Sequence, residues 1–149
     1  MLPKIRIDGA VAEMIVIADL IKRGYFAYKP LIENTECDLV VDIDGKLVKI
    51  QIKSGHSDGE KIKVDLTRSS AKSKYYSKQD FDILAIYDSS TGNIAYLKWG
   101  DIPYKRSLTL RYTETVFKNG NVEENGRYYF NDYLEFPILS DIGSHLTDS

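Results

Sequence analysis

A chain of 149 residues is long enough for one domain with a single sizeable core and little more. At 43% hydrophobic and 28% charged it has an ordinary globular composition, and no apolar run reaches the length that spans a bilayer. A single cysteine, Cys37, excludes an internal disulfide and any zinc site built from several thiolates. Charges at Lys4, Arg6 and Asp8 interrupt any signal-peptide pattern, so a reducing cytoplasm is the expected compartment and no membrane partner is expected.

The first predicted element is a helix opening at Asp8-Gly9, with Asp8 as its cap, and running to about Arg23, where Gly24 stops it. Val11, Met14, Ile15, Val16, Ile17, Ala18, Leu20 and Ile21 occupy most of its circumference, so the helix is expected to be largely buried. Its polar side carries Asp19, Lys22 and Arg23. Glu13 points well away from them, beside Ile17 and Leu20. Burying an unpaired carboxylate costs several kcal/mol, so Glu13 needs a cation, a metal or a proton. Two readings follow: an ion pair with a lysine, or delivery of the carboxylate to a functional site.

Strands are predicted at Tyr25 to Tyr28, Cys37 to Ile43 and Lys46 to Lys53, then at Ile62 to Leu66, Asp82 to Tyr87, Ile94 to Lys98 and Leu108 to Tyr112. Asp44-Gly45 between two alternating runs marks a hairpin. With those two residues as the turn, Ile43 pairs with Lys46, Val41 with Val48, Leu39 with Ile50 and Asp38 with Gln51. Side chains alternate with period two, so Lys53 shares the face of Gln51, and Leu39, Val41, Val48, Ile50 and Ile52 form the core face. A carboxylate, an amide and an ammonium are thereby gathered on one side of a strand pair, provided no bulge shifts the register.

The segment from Arg68 to Lys78 reads as a short helix or a basic loop, and Ser89 to Asn93 as the turn of a second hairpin. Lys118 to Gly126 reads as an exposed loop, and a flexible acidic C-terminal tail is expected from about residue 138. The net charge of −2 hides an asymmetry. Lys61, Lys63, Arg68, Lys72, Lys74 and Lys78 are opposed only by Asp65, and Lys105, Arg106 and Arg111 form a second basic group. A basic surface is therefore compatible with the low net charge. A leading helix followed by a run of strands argues an α+β fold, one domain over 1–149, with a mixed or antiparallel central sheet.

Three stretches resemble the PD-(D/E)XK nuclease superfamily. They are the helix glutamate in Gly9-Ala10-Val11-Ala12-Glu13, the aspartate opening Cys37-Asp38-Leu39-Val40-Val41, and the strand end Ile50-Gln51-Ile52-Lys53-Ser54. The phrase Asp19-Leu20-Ile21-Lys22-Arg23-Gly24-Tyr25 and the Gln-x-Lys motif are similar to the branch that includes group I intron homing endonucleases, as is the later run Asp80 to Tyr87. The resemblance implies an N-terminal helix packed on a central mixed sheet and a metal-dependent endodeoxyribonuclease. It implies Mg²⁺, with Mn²⁺ as a substitute, held by Asp38, Glu13, Gln51 and the Ile52 backbone carbonyl. Glu13, Asp38, Gln51 and Lys53 are the implied catalytic residues. Gln51 stands where the superfamily usually has an acid, so one negative charge is removed.

Double-stranded DNA is the implied partner, with Lys61, Lys63, Arg68, Lys72, Lys74, Arg106 and Arg111 as candidate phosphate contacts. One such site cuts one strand, so cutting both points to a homo-oligomer, a dimer or a tetramer. A Holliday-junction resolvase or restriction-type nuclease shares the core, and a DNA-binding protein that has lost catalysis is the alternative of another class. Cys37 is read as a core thiol and His56 as an exposed loop residue. Trp99, Tyr128, Tyr129, Phe130, Tyr133 and Phe136 are read as core or interface packing.

Overall fold

The structure is a computed structural model that describes residues 1–32, 35–68, 75–113 and 128–137. Helix α1 (Lys4–Lys22) begins a turn earlier than an Asp8 cap implies. Pro3 is the N-cap and its carbonyl accepts the amides of Arg6 and Ile7, which leaves Asp8 inside the helix. Proline has no N–H of its own to leave unsatisfied there. The predicted stop at Gly24 holds. With Gly24 at φ 90°, Tyr25 N–H donates to Leu20 O and Gly24 N–H to Ile21 O, the paired bonds of a Schellman stop.

The expectation of a largely buried helix is corrected. Ala12, Val16 and Leu20 are its buried residues, while Val11, Met14 and Ile21 are exposed. A helix that is apolar all round is covered only if it has neighbours on every side. Among the described residues α1 packs on one face of a sheet.

That sheet has five strands: β1 (Phe26–Tyr28), β2 (Leu39–Ile43), β3 (Lys46–Gly55), β5 (Ile83–Asp88) and β6 (Ile94–Lys98), in the order β1-β2-β3-β5-β6. β3 and β5 run parallel and every other pair is antiparallel, so the sheet is mixed as expected. A parallel pair needs a long crossover. Here the crossover contains β4 (Lys61–Asp65), which joins β7 (Ser107–Arg111) and β8 (Tyr128–Tyr129) in a second sheet that the sequence reading did not foresee.

The layers are thus helix, five-stranded sheet, three-stranded sheet, with a core on each side of the middle layer. On the helix side Ala12, Val16 and Leu20 pack with Leu39, Val41, Val48, Ile50 and Ile52, the core face read from alternation. On the far side Ile62, Val64, Leu108 and Leu110 pack with Leu84, Ile86, Trp99 and Phe130. Ile83 to Ile86 are all buried because β5 is covered on both faces, which explains its continuous apolar run. The expected turn at Ser89 to Asn93 joins β5 to β6, with Gly92 at φ 80°. Residues 69–74 of the basic segment Arg68 to Lys78, the predicted loop at Lys118 to Gly126 and the acidic tail from about 138 lie outside the described residues.

Candidate active site

Asp44 and Gly45 both have positive φ, 52° and 86°, the conformation of a type I′ hairpin turn. Asp42 Oδ1 accepts the Gly45 amide at 2.8 Å and braces it. The ladder then runs as counted, Ile43 with Lys46, Val41 with Val48 and Leu39 with Ile50. It stops one residue short of the expected Asp38–Gln51 pair. Asp38 N–H donates to Ile50 O at 2.9 Å, a departure from the register, and Asp38 lies just outside β2.

Its side chain takes over where the backbone ladder ends. Asp38 Oδ2 accepts Ile52 N–H and Gln51 Nε2, each at 2.9 Å. The same departure turns Cys37 toward the far-side core rather than the helix-side core that strict alternation assigns to it. Burial raises the thiol's pKa, which disfavours the reactive thiolate.

Gln51 is buried, and its orientation is set by chemistry. Nε2 lies beside two acceptors, Asp38 Oδ2 and, at 3.4 Å, the Ile52 carbonyl, so Oε1 must occupy the other amide position. That oxygen is buried with no hydrogen-bond partner. An orphaned buried acceptor costs about 1–3 kcal/mol, so it marks a place where a donor or cation belongs.

Burial also displaces both ionisable groups from their ordinary ranges. It pushes the Asp38 carboxyl up, against the lowering effect of the Ile52 amide, and the nearby negative charge of Glu13 pushes it further. It pushes the Lys53 ammonium down, while Asp38 and Asp65 pull the other way. Lys53 Nζ stands 3.5 Å from Tyr76 Oη and 5.2 Å from the centre of its ring. Each charged form is disfavoured by desolvation, which is the usual condition of groups recruited for chemistry.

Glu13 reaches this region from the helix side and pairs with Lys29 at 2.6 Å. The cation that a half-buried helix carboxylate requires is therefore a lysine, yet the charge of Glu13 is still felt at Asp38. Two carboxylates, an amide oxygen and a backbone carbonyl are hard oxygen donors of the kind that suit a small divalent cation. They are few in charge. Among the described residues no group of three or more His, Cys, Asp or Glu is clustered to hold a metal.

The PD-(D/E)XK endonuclease family model matches residues 4–131. The chain belongs to that family. It is also 31% identical over 108 residues to Protein 5.3 of Escherichia phage T7, a match covering 68% of this chain and 86% of the phage protein. Among solved structures it is similar to the bacterial homing endonuclease I-Ssp6803I, with a TM-score of 0.63 and 25% identity over 78% of this chain and 82% of that one. Family and neighbour together support a DNA endonuclease. PD-(D/E)XK nucleases typically use divalent metals.

On the fold of this PD-(D/E)XK nuclease the candidate basic residues separate. Lys61 and Lys63 are exposed on β4, and Lys61 pairs across the second sheet with Arg111 of β7. Arg106 is exposed just before β7. Arg68 is largely covered. It pairs with Glu36 at 3.6 Å and its guanidinium lies 5.3 Å from the Tyr76 ring centre. Lys72 and Lys74 lie outside the described residues. His56 is exposed as expected, with Nδ1 3.2 Å from Ser89 Oγ. Lys29, Asp65 and Tyr76 are the site neighbours that sequence reasoning missed. None sits at a motif spacing: Tyr76 contacts Lys53, Lys29 pairs with Glu13 on α1, and Asp65 acts on the charge of Lys53. Among the described residues no helix is long and apolar enough to cross a membrane.

Proposed function

We propose that this protein is a site-specific endonuclease of the homing type that hydrolyses phosphodiester bonds of duplex DNA with Mg²⁺, or Mn²⁺ in its place, and acts as a symmetric oligomer, a dimer or a tetramer. The observation that carries the reading is the grouping of Asp38, the unpartnered Gln51 Oε1 and the desolvated Lys53 at one end of the β2–β3 hairpin. Asp38 is the principal cation ligand, with Gln51 Oε1 and the Ile52 carbonyl as neutral oxygen donors. Glu13 would offer the cation a second negative charge, directly or through water. Bound Mg²⁺ supplies Lewis acidity at the phosphate and a lowered pKa for water. Lys53 then orients the attacking water and donates to the phosphate oxygens as charge develops on them. A single domain over 1–149 with an acidic tail from about 138 is part of this reading.

Plasmid and target-site cleavage in Mg²⁺ tests it. Asp38→Ala and Lys53→Ala are each expected to lose about 100-fold or more in cleavage rate while still binding DNA. Full activity in either variant overturns the role assignment. A second reading, a DNA-binding protein that no longer cleaves, is favoured by Gln51 in place of an acid and by the sparse carboxylate set. It predicts tight binding and no cleavage in Mg²⁺ or Mn²⁺, and Gln51→Glu is then the change expected to restore some activity.

A further inference from the structure

Helix α1 carries two opposed apolar stripes. Ala12, Val16 and Leu20 face the sheet and are buried. At about 100° per residue, Ile7, Val11, Met14, Ala18 and Ile21 fall on a second stripe centred about 180° away from the first. All five are exposed, Met14 at 72% and Ile21 at 57%. Their spacing alternates between four and three residues. That is the a/d seam of a coiled coil, with Ile7, Met14 and Ile21 at d and Val11 and Ala18 at a.

The charges beside the seam select both a partner and a direction. Asp8 and Lys22 each follow a d residue and so occupy the same flanking e position, at opposite ends of the helix. In an antiparallel pair, e positions face e positions. Two copies of α1 laid antiparallel therefore bring Asp8 of each copy beside Lys22 of the other, two reciprocal ion pairs about a two-fold axis. A parallel pair is disfavoured. It stacks Lys4, at an a position, on its own copy and sets Lys22 against the g-position residue Ile17.

We propose that the outward stripe of α1 is a self-association surface, on which a second copy of this chain packs its own α1 antiparallel. The proposal rests on α1 and names the interface of the oligomer in the proposed function, while it is independent of the hydrolytic chemistry of that reading. If that reading also holds, the contact supplies the second active site needed to cut the second strand.

Sedimentation velocity on the full chain without DNA tests it. The wild type is expected to reach twice its 17.0 kDa mass as concentration rises. Met14→Glu buries a charge in the seam and is expected to remain monomeric. Asp8→Lys and Lys22→Asp are each expected to self-associate roughly tenfold more weakly, because each sets like charges together. Mixed in equal amounts, those two variants are expected to pair with each other and recover the wild-type affinity. All the altered positions are exposed, so circular dichroism melts are expected to match the wild type; should Met14→Glu misfold, the charge-swap pair still decides. A wild type monomeric up to about 0.1 mM, a folded Met14→Glu that dimerises normally, or a mixture no tighter than its components would overturn the proposal. A monomer that cleaves DNA sinks the interface and the oligomer of the proposed function, and leaves its hydrolytic chemistry intact. A dimer inert on DNA does the converse.

Discussion

Asp38 and Lys53 are held where their charged forms are disfavoured, and this has a consequence for stability as well as for chemistry. A carboxyl raised by burial binds its proton more tightly in the folded state, so its contribution falls as pH rises through the window above the ordinary carboxylate value. A lysine lowered by burial is the mirror case. Its charge destabilises the fold below the lowered value, and the cost is relieved as pH rises toward 10.5. Near neutral pH both groups therefore oppose folding. Lys53→Met is expected to raise the melting temperature by roughly 2–4 °C, equivalent to about 1 kcal/mol for a domain of this size, while abolishing cleavage. A calorimetric melt that falls by as much would show that the Tyr76 contact outweighs desolvation. The orphaned Gln51 Oε1 belongs with the same trade-off, since functional sites retain costs that the rest of the fold offsets.

At the scale of elements, the connections that frame the site are tied by a buried carboxylate. Asp88, the last residue of β5, accepts Ser57 N–H at 3.1 Å, Ser90 N–H at 3.0 Å and Ser90 Oγ at 2.6 Å on one oxygen. Its other oxygen accepts Tyr112 Oη at 2.6 Å and Thr91 Oγ1 at 3.0 Å. One side chain thus joins the end of β5, the loop after β3 and the residue after β7. The serine and tyrosine hydrogen bonds more than offset burial and hold the carboxyl well below the usual range. The stabilisation is fully present above the ordinary carboxylate pKa and is lost as pH falls below about 4 toward the depressed value. Asp88→Ala is expected to cost on the order of 3 kcal/mol in urea denaturation at pH 7, and the difference from wild type should shrink toward pH 2. A constant difference across that range would remove the carboxylate from the explanation.

For the molecule as a whole, the basic residues of the second sheet predict how it meets DNA, with Lys61 and Lys63 exposed and Arg111 half-buried. Lys61 and Arg111 pair across β4 and β7, and Lys63 is exposed on the same side of β4 as Lys61. Asp65, on that side too, is close enough to Lys53 to influence its charge, which ties this face to the site. If all three cations contact phosphates, the Lys61→Ala, Lys63→Ala and Arg111→Ala triple variant should lower the slope of log affinity against log salt by roughly 3. A slope unchanged from wild type in fluorescence titrations would move the DNA footprint elsewhere.

Local signals are legible in a single chain because they act between near neighbours. The type I′ turn at Asp44-Gly45, the alternation through β2 and β3 and the Gly24 stop were each readable, and with them the core face of the hairpin and the grouping of Asp38, Gln51 and Lys53. Tertiary structure decided what depends on distant partners. It ended the ladder at Leu39, so that the Asp38 side chain rather than its backbone closes on Ile52. It set Lys29 beside Glu13 and Tyr76 beside Lys53, and it drew β4 out of the crossover into a second sheet. Among the described residues it also left one apolar side of α1 exposed, because periodicity records which residues avoid water but not how many neighbours the fold provides to cover them.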